Sequence, residues 1–177
     1  MRIIAGKYGS RIIKTPTGFT THPMGDRIRS ALFNRLGDLK GLVVWDAFAG
    51  SGALAIEAVS RGAKFALATE RDRKAFQVLQ ENVQNLDTEA IKVIRASCGA
   101  WSKNNVDKKF DVIFCDPPYN DLQLSTVFAL KSHLQPNGLM LLSYPGREPV
   151  PHVDGVVVVD NRNYGDAALA TYRLADS

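Results

Sequence analysis

The fold is predicted outward from one run of residues, Phe110-Asp111-Val112-Ile113-Phe114-Cys115, followed directly by Asp116-Pro117-Pro118-Tyr119. The first six residues are mainly apolar and rich in aromatic and β-branched side chains, which is typical of a strand buried on both faces. The two prolines end this strand, because neither can donate a hydrogen bond to a neighbouring strand. The strand is therefore predicted to deliver a carboxylate, carbonyl groups and an aromatic ring at its carboxyl end.

The four residues after this strand have the chemistry needed to hold a planar amino group. The Asp116 carboxylate and the Pro117 carbonyl can each accept one amino hydrogen, and the Tyr119 ring can stack on the ring that carries the amino group. In an open α/β sheet, ligands bind at the carboxyl edge of the strands. Asp116, Pro117 and Tyr119 are therefore the candidate catalytic residues. A rigid polar turn without a catalytic role is the alternative that these residues alone leave open.

Length and composition indicate an ordinary globular protein. The chain has 177 residues, of which 45% are hydrophobic and 23% are charged, and this favours one domain with a small extension. No apolar run approaches the roughly 20 residues needed to span a bilayer, and the apolar part of the amino terminus is too short for a signal peptide. A cytoplasmic protein is expected. Cys98 and Cys115 have no metal-like spacing, so buried thiols are expected and no metal is predicted.

The net charge of +4 is unevenly distributed along the chain. Residues 1–41 hold eight basic and two acidic residues, so this segment carries +6 and the remainder carries −2. A basic segment on a nearly neutral domain indicates a polyanionic partner, with nucleic acid first, although a solvated basic surface has the same composition. The candidate contacts with this partner are Arg2, Lys7, Arg11, Lys14, Arg27 and Arg29.

The chain is predicted to consist of a short amino-terminal extension, residues 1–23, and an α/β domain, residues 24–177. Two β-branched pairs flank a glycine-containing turn, which predicts a basic hairpin over residues 2–14, and a loop rich in proline and threonine follows. Alternating strands and helices then predict a mostly parallel sheet with right-handed crossovers, closed by an antiparallel pair. The predicted strands span 42–46, 65–69, 91–94, 110–115, 138–143, 153–160 and 167–174, and the predicted helices span about 24–36, 53–61, 73–85 and 122–133.

The loop after the first core strand is glycine-rich: Asp46-Ala47-Phe48-Ala49-Gly50-Ser51-Gly52. It lacks both the G-x-G-x-x-G spacing of dinucleotide-binding folds and the Lys-Ser/Thr pair of a P-loop. An acid at the strand tip, four residues before the first glycine, suits an amino-bearing or cationic ligand better than a pyrophosphate. Glu70 follows the next strand, where an acid typically binds both hydroxyls of a ribose, and the glycines let the backbone approach a ligand closely.

These features together indicate S-adenosylmethionine, which has an amino acid tail, a sulfonium and a ribose. Each feature taken singly has a structural alternative, since Gly50 and Gly52 could be turn glycines and Glu70 could be a helix N-terminal acid. Ser97 and Cys98 follow the third strand, where the adenine would lie and where backbone contacts are expected. The candidate donor-binding residues are Asp46, Phe48, Ala49, Gly50, Gly52, Glu70, Arg71, Ser97, Cys98 and Asp116.

Four motifs occur in one order along the chain, and together they resemble the RsmD-type 16S ribosomal RNA guanine-N2 methyltransferases of bacteria. They are Arg2-Ile3-Ile4-Ala5-Gly6, the Asp26-Arg27-Ile28-Arg29 helix with Leu32-Phe33-Asn34, the glycine-rich loop over residues 46–52, and Asp116-Pro117-Pro118-Tyr119. The similarity extends through Tyr164-Gly165-Asp166 and so covers nearly the whole chain. The chain departs from the usual family pattern at His22-Pro23-Met24-Gly25.

The resemblance implies a Rossmann-like class I methyltransferase fold, with a seven-stranded mostly parallel sheet, helices on both faces and an N-terminal β-hairpin that contacts RNA. It also implies S-adenosylmethionine as the methyl donor and 16S rRNA within an assembling 30S particle as the substrate. The expected reaction is methyl transfer to the exocyclic N2 of a guanine. A monomer with no membrane and no metal partner is expected.

Three other functions use parts of the same pattern. DNA adenine-N6 and cytosine-N4 methyltransferases hold their amino groups with a similar motif, but they usually carry a sizeable target-recognition domain that 177 residues do not accommodate. Protein-glutamine methyltransferases normally have asparagine in place of Asp116. A non-catalytic protein that binds the pre-ribosome would not need the complete set of donor-site residues. Transfer of a labelled methyl group to RNA, DNA and protein pools separates these functions.

Overall fold

Short apolar segments alternate along the chain and fold into strands and helices, as shown by a computed structural model that describes residues 1–18 and 24–176. The strands are β1 (Val43–Asp46), β2 (Phe65–Thr69), β3 (Ile91–Ile94), β4 (Phe110–Cys115), β5 (Leu134–Pro145), β6 (Val156–Asn163) and β7 (Ala167–Leu174). The helices are α1 (Asp26–Leu36), α2 (Ala53–Ser60), α3 (Arg73–Gln84), α4 (Cys98–Asn104) and α5 (Leu124–Ala129), with a 3₁₀ turn at Leu130–His133.

The strands form one sheet in the order β3-β2-β1-β4-β5-β7-β6. β1 to β5 run parallel, and β7 pairs antiparallel with both β5 and β6. The chain winds outward in one direction from β1 to β3 and in the other direction from β4, so the strand order reverses between β1 and β4. Ligands bind outside the carboxyl ends of the strands at such a reversal. The predicted fold class, a Rossmann-like α/β fold with a seven-stranded mostly parallel sheet, is confirmed.

Apolar side chains cover the sheet on both faces, which explains the continuous hydrophobic runs of the central strands. One core layer joins the sheet to α1, α2 and α3, with Leu32, Phe33 and Leu79 among its buried residues. The other layer joins the sheet to α4 and α5 and contains Trp45 and Phe128. From Val112 to Cys115, β4 contributes alternate residues to the two layers, so these side chains are packed on both faces up to Asp116.

The amino-terminal segment, residues 1–18, packs against the α/β domain and shares its core. Arg2 and Ile12 pair antiparallel, and the Ile3 N–H donates to the Arg11 carbonyl at 2.9 Å, so the predicted hairpin is present but its ladder is very short. Ile3, Tyr8 and Ile13 are buried in the same apolar layer as α2 and α3. The segment, called the arm below, is thereby fixed on the face of the sheet that carries α2.

The structure differs from the sequence prediction in four elements. β6 (Val156–Asn163), predicted over 153–160, begins and ends three residues later. α4 was not predicted, because it is only seven residues long and contains a glycine, so no helical periodicity is visible. The predicted helix over 122–133 begins later, since Gln123 adopts a left-handed conformation at φ +50°, and ends in the 3₁₀ turn. β5 begins four residues earlier than predicted, and its pairing with β4 shifts register between Phe110 and Val112.

Part of the amino-terminal prediction concerns residues outside the described ranges. The loop that leads to α1 includes residues 19–23, and the departure from the family pattern at His22-Pro23 lies there. Among the residues that the structure describes, no helix is long and apolar enough to cross a membrane.

Candidate active site

Three carboxylates meet at the carboxyl edge of the sheet, on the three central strands. Asp46 ends β1 and pairs in register with Ala68 of β2 and with Phe114 of β4. Glu70 and Asp116 each lie two residues beyond those partners, at the tips of β2 and β4. The parallel register therefore brings together three acids that are separated by up to 70 residues along the chain.

Burial and mutual repulsion make this cluster electrostatically unfavourable when it is fully ionised. Desolvation of the buried Asp46 carboxyl raises its pKa to about 8, and the nearby charges of Asp116 and Glu70 contribute to this rise. Desolvation also raises the pKa of Asp116 to about 6. Within residues 1–18 and 24–176, none of the three acids forms an ion pair with a lysine or arginine. A bound cation would relieve this repulsion.

The two oxygens of Asp46 have different surroundings. Oδ2 accepts a hydrogen bond from the Ala55 N–H at 3.1 Å, which joins the tip of β1 to the first turn of α2. Oδ1 is buried and has no hydrogen-bond partner in the described part of the chain. A buried acceptor without a partner is costly and calls for a donor. This oxygen and the excess negative charge fit a ligand with a positive charge and N–H donors, as S-adenosylmethionine has.

The glycine-rich loop is held against Glu70. The Gly50 N–H donates to Glu70 Oε2 at 2.9 Å, and the Asp72 N–H donates to Oε1 at 2.7 Å. Gly50 has open space where a Cβ would project, so its backbone is accessible to a ligand. At Gly52, by contrast, a φ of +86° and a clash with Leu79 Cδ1 at 2.5 Å would oppose any side chain. The left-handed backbone, together with packing against α3, therefore favours glycine at position 52 whether or not a ligand binds there.

Asn82 of α3 connects the glycine-rich loop to the arm. Its side-chain N–H group donates to the carbonyls of Ser51 and Lys14, each at 2.9 Å, and its Oδ1 accepts from the Lys14 N–H at 2.9 Å. The side chain is buried, and these three bonds use most of its hydrogen-bonding capacity. One residue, which was not predicted from the sequence, thereby holds both the glycine-rich loop and the arm.

The predicted adenine side of the site is an open cleft next to α4. Ser97 caps α4 by accepting from the Ala100 N–H at 3.2 Å, whereas the Cys98 side chain is buried in the core and its thiol pKa is raised by desolvation. The Arg71 guanidinium lies on the surface, 3.9 Å from Asp121. The cleft has a volume of about 490 Å³ and is lined by Arg71, Ser97, Gly99, Ala100, Lys103, Asn104, Gln123 and Thr126.

Gln123 is a further candidate that sequence reasoning missed. It lines this cleft, and its Nε2 is buried with no acceptor among the described residues. Its left-handed backbone places it immediately before α5. Nothing in the local sequence marks this position, because the surroundings of its amide depend on how α5 packs beside α4. Ser97 and Arg71 were predicted, and they lie on the same cleft; Phe48 and Ala49 lie on the loop above Asp46.

The candidate catalytic residues lie together beyond β4. Asp116 is partly buried, Pro117 is buried, and Tyr119 is 38% exposed. The Pro118 carbonyl accepts from the Asp121 N–H at 2.9 Å, which closes a turn after the two prolines. The Tyr119 hydroxyl is 2.6 Å from the Ser143 hydroxyl, so the ring is tethered by its far end while part of its surface stays open. Ser143, on β5, was not predicted.

Five of the six predicted RNA contacts are exposed, and the sixth is not. Arg2, Lys7, Arg11, Lys14 and Arg27 are exposed, and the cations of Lys7 and Arg11 lie 5.2 and 5.5 Å from the centre of the Tyr8 ring. Lys14 forms an ion pair with Glu81.

The prediction of an RNA contact for Arg29 is wrong in this structure. Its side chain is fully buried and cannot reach a ligand on the surface. The guanidinium donates to Asp26 at 2.9 Å and to the carbonyl of Arg2, and its Nε lies 3.9 Å from a carboxylate oxygen of Glu57. The unfavourable position of a cation near the start of a helix is therefore balanced by two carboxylates and by the arm, and not by RNA.

His133 lies in the core, beside α4. It is the last residue of the 3₁₀ turn and is buried, and its ring nitrogens contact the Ser102 hydroxyl and the Lys108 carbonyl, each at 2.7 Å, so its role is structural. Within the described ranges there is no group of three or more histidine, cysteine or acidic side chains arranged to hold a metal ion.

Comparison with known proteins places this geometry in a family. The family described as "Conserved hypothetical protein 95" matches residues 1–173. The ribosomal RNA small subunit methyltransferase D of Haemophilus influenzae is 30% identical over 181 residues, which cover 98% of this chain and 92% of that protein. The protein of the same name from Buchnera aphidicola subsp. Acyrthosiphon pisum is 37% identical over 119 residues, which cover 67% of this chain and 62% of that protein.

The structural comparison agrees with the sequence comparison. The solved structure of yhhF from Escherichia coli is 28% identical, covers 99% of both chains and superposes with a TM-score of 0.85. A protein from Pyrococcus horikoshii at 18% identity has a TM-score of 0.74 and shows the same fold. With the family match spanning the arm, the donor loop and the Asp116 motif together, the chain belongs to the RsmD-type family of ribosomal RNA methyltransferases.

Proposed function

We propose that this protein transfers a methyl group from S-adenosylmethionine to the exocyclic N2 of a guanine in 16S rRNA within an assembling 30S particle. The observation that carries the proposal is the cluster of Asp46, Glu70 and Asp116 at the strand-order reversal, which lacks an internal cation within the described residues and lies beside the half-exposed Tyr119 ring. The cluster supplies acceptors for a cationic donor on one side and for an amine on the other.

The donor would be held by residues of β1, β2 and the loops that follow them. The free oxygen of Asp46 would accept a hydrogen bond from the donor's amino group, and Glu70 would accept hydrogen bonds from the ribose hydroxyls. Gly50 exposes its backbone, and the cleft beside Ser97 would take the adenine. When bound, S-adenosylmethionine supplies an electrophilic methyl group on its sulfonium. The positive charge would also favour the ionised form of Asp46, so that donor binding near pH 7 would release protons.

The target amine would be held by the residues after β4. The lone pair of guanine N2 is delocalised into the ring, so the nitrogen is a weak nucleophile. Hydrogen bonds from N2 to the Asp116 carboxylate and the Pro117 carbonyl would orient the lone pair toward the methyl group, and this positioning provides much of the rate enhancement. Tyr119 would replace the stacking partner that the guanine loses when it leaves its RNA stack.

The remaining partners follow from the same proposal. An enzyme that modifies 16S rRNA during subunit assembly works in the cytoplasm. The arm and Arg27 supply exposed cations for phosphate contacts, and Arg29 keeps the arm in place. We take the protein to act as a monomer, with residues 1–23 as the RNA-contacting extension and residues 24–177 as the methyltransferase domain.

The experiment that tests the function uses a labelled methyl donor and four substrates: 30S particles, late 30S precursors, naked 16S rRNA and DNA. We expect label in 16S rRNA, with the modified base identified as N2-methylguanine by mass spectrometry of nucleosides. Label in adenine N6 of DNA, or in another RNA, would show that 16S rRNA is not the substrate. Binding of precursors without any transfer of label would indicate a non-catalytic pre-ribosome-binding protein.

Glu70 is expected to contribute to donor affinity. Glu70→Ala should weaken donor binding by about 1 to 3 kcal/mol, because two ribose hydroxyls lose a charged acceptor. The dissociation constant measured by calorimetry checks this. Glu70→Gln is the matched control, since it can still accept the Gly50 N–H and separates loss of charge from loss of the loop anchor. A dissociation constant unchanged in both variants would place the ribose elsewhere.

The arm is expected to carry affinity for RNA and not for the donor. Replacing Arg2, Lys7, Arg11 and Lys14 with glutamine should weaken RNA binding and flatten its salt dependence. Removal of each cation that binds a phosphate should lower the slope of log K against log salt by about 0.7 to 0.9. Donor affinity should stay the same, because the hydrogen bonds between Lys14 and Asn82 involve only the backbone of the arm.

The control for this experiment removes the same charge from the edge of the sheet that lies opposite the carboxylate cluster. Lys40, Lys64, Lys92 and Lys108 are exposed and lie near the amino ends of β1, β2, β3 and β4. Glutamine at these four positions should leave the slope close to that of the unmodified protein. Equal losses of RNA affinity in both quadruple variants, or no loss of RNA affinity in the arm variant, would contradict the assignment of the arm as the RNA surface.

A further inference from the structure

Three exposed cations stand at the carboxyl edge of the sheet, on the side of α3. Arg73 and Lys74 lie in the first turn of α3, shortly after Glu70, and Arg95 directly follows β3. The Ala96 N–H donates to the Glu70 carbonyl at 3.1 Å, so Arg95 stands next to the tip of β2. These three cations, called the basic rim below, therefore share one edge of the sheet with the candidate active site.

The carboxylates of this region already have partners in the folded chain. The Glu70 oxygens accept two backbone N–H groups, and Asp72 caps α3 by accepting from the Ala75 N–H at 2.9 Å. Glu81 and Asp121 contact cations that do not belong to the basic rim. Among residues 1–18 and 24–176, no carboxylate lies within ion-pair distance of the three rim cations. The rim therefore presents positive charge that the described part of the chain does not neutralise.

The positions of Arg73 and Lys74 are unfavourable for the helix itself. The start of a helix carries a partial positive charge, so cations in the first turn are destabilising. In α1 the same conflict is balanced by the carboxylates beside the buried Arg29. The first turn of α3 has no acidic residue, and its only nearby acid is the Asp72 cap. An anionic partner outside the chain would be attracted both by the two side chains and by the helix end.

The basic rim lies between the arm and the residues that would hold the target base. Lys74 and Glu81 are seven residues apart, which places them on one side of α3 and about 10 Å apart along its axis. Glu81 in turn forms an ion pair with Lys14 of the arm. On the other side, the Arg71 guanidinium lies 3.9 Å from Asp121, in the turn that follows the candidate catalytic residues. An RNA strand that contacts the arm would pass the rim before it reaches the site.

We propose that the basic rim binds phosphates of the RNA strand beside the target guanine, and so extends the RNA-binding surface from the arm to the opening of the active site. This proposal rests on the proposed function. When a base is turned out of its stack into a pocket, the phosphates on either side of it stay at the edge of that pocket. Contacts with phosphates fix the position of the strand and carry no sequence information. The rim would therefore hold the strand in place while other residues select the guanine.

The test replaces Arg73, Lys74 and Arg95 with glutamine and measures binding of naked 16S rRNA and of 30S particles at several salt concentrations. The slope of log K against log salt should fall by about 2 to 3 in total, because each lost phosphate contact contributes about 0.7 to 0.9. The value of kcat/KM for RNA should fall as well. The dissociation constant of the donor, measured without RNA, should stay the same.

Two control variants separate phosphate contacts from other effects. The combined variant Arg73→Lys, Lys74→Arg and Arg95→Lys keeps all three charges, so its salt slope should match that of the unmodified protein. The variant with glutamine at four lysines near the amino ends of the strands removes more charge but should also keep the slope. Urea denaturation checks the fold: the midpoint for the glutamine variant of the rim should be unchanged or higher, because two cations leave the first turn of α3.

An unchanged salt slope in the glutamine variant of the rim would overturn the proposal even if methylation of 16S rRNA is established. An equal loss of slope in the charge-retaining variant would also overturn it. A loss of affinity for 30S particles with unchanged binding of naked 16S rRNA would indicate an acidic protein partner in place of RNA. Absence of methylation by the unmodified protein would instead overturn the proposed function, while the salt slope would still report whether the basic rim contacts phosphates.

Discussion

Asp116→Ala is expected to lower the rate of methyl transfer by at least about a thousandfold while leaving the fold and most of the donor affinity intact. The target amine would lose the acceptor that orients its lone pair. Loss of one preorganised group of this kind typically lowers kcat by a factor of about 10² to 10³. Misplacement of the amine would lower the rate further. The measurement is kcat for 16S rRNA with the dissociation constant of the donor determined in parallel.

Asp116→Asn is the matched control for this prediction. The amide keeps one carbonyl oxygen in nearly the same place but has no charge, so its activity should lie between those of the alanine variant and the unmodified protein. Both variants remove a charge that raises the pKa of Asp46, so Asp46 should titrate at a lower pH in each. Activity of Asp116→Ala within a few-fold of the unmodified protein would exclude Asp116 as the residue that holds the amine.

Glu57→Ala is expected to reduce the free energy of unfolding by about 3 to 5 kcal/mol, the usual cost of removing one partner from a buried ion pair. Glu57 is fully buried in α2 and accepts from the Ile4 N–H at 2.9 Å, the Ala5 N–H at 3.1 Å and Arg61 Nε at 2.8 Å. Arg29 lies beside it and is also fully buried. The variant would leave the Ile4 and Ala5 N–H groups and Arg61 Nε without their acceptor, and it would remove one of the two carboxylates beside the buried Arg29 cation. Urea denaturation measures the loss.

Two comparisons separate this effect from a general loss of charge. Glu81→Ala removes the exposed partner of Lys14 and should change stability by less than about 1 kcal/mol. Glu57→Gln keeps the shape and one acceptor oxygen, so its loss should be smaller than that of the alanine variant. Limited proteolysis should cut residues 1–18 faster in Glu57→Ala. A loss similar to that of Glu81→Ala would mean that Glu57 adds little to the other contacts that hold the arm, such as the burial of Ile3, Tyr8 and Ile13.

The sheet and the three acids at its carboxyl edge could be predicted from the sequence alone. Hydrophobic runs of four to six residues, each leading to an acid, indicated β1, β2 and β4, and the alternation with helices predicted that these strands are parallel. Because parallel strands present their carboxyl ends at one edge, Asp46, Glu70 and Asp116 could be predicted to lie close together before any tertiary contact was known. The tertiary structure confirms that juxtaposition.

Only the tertiary structure distinguished residues that look alike in the sequence. Arg27 and Arg29 are two positions apart on α1, yet Arg27 is exposed and Arg29 is buried against Glu57. The direction of each side chain depends on which face of α1 packs on α2. No local pattern specifies this packing, because the partner carboxylate lies about 30 residues away in the sequence.

The same physical reason accounts for the site residues that were missed. Ser143 reaches Tyr119 because β5 pairs with β4, and Asn82 joins the donor loop to the arm because α3 packs between them. The raised pKa values of Asp46 and Asp116 likewise come from burial within the folded chain and, for Asp46, from charges on other strands. Local periodicity determined which residues stand at the strand tips. Contacts between distant segments decided what surrounds those residues, and hence their charge and their partners.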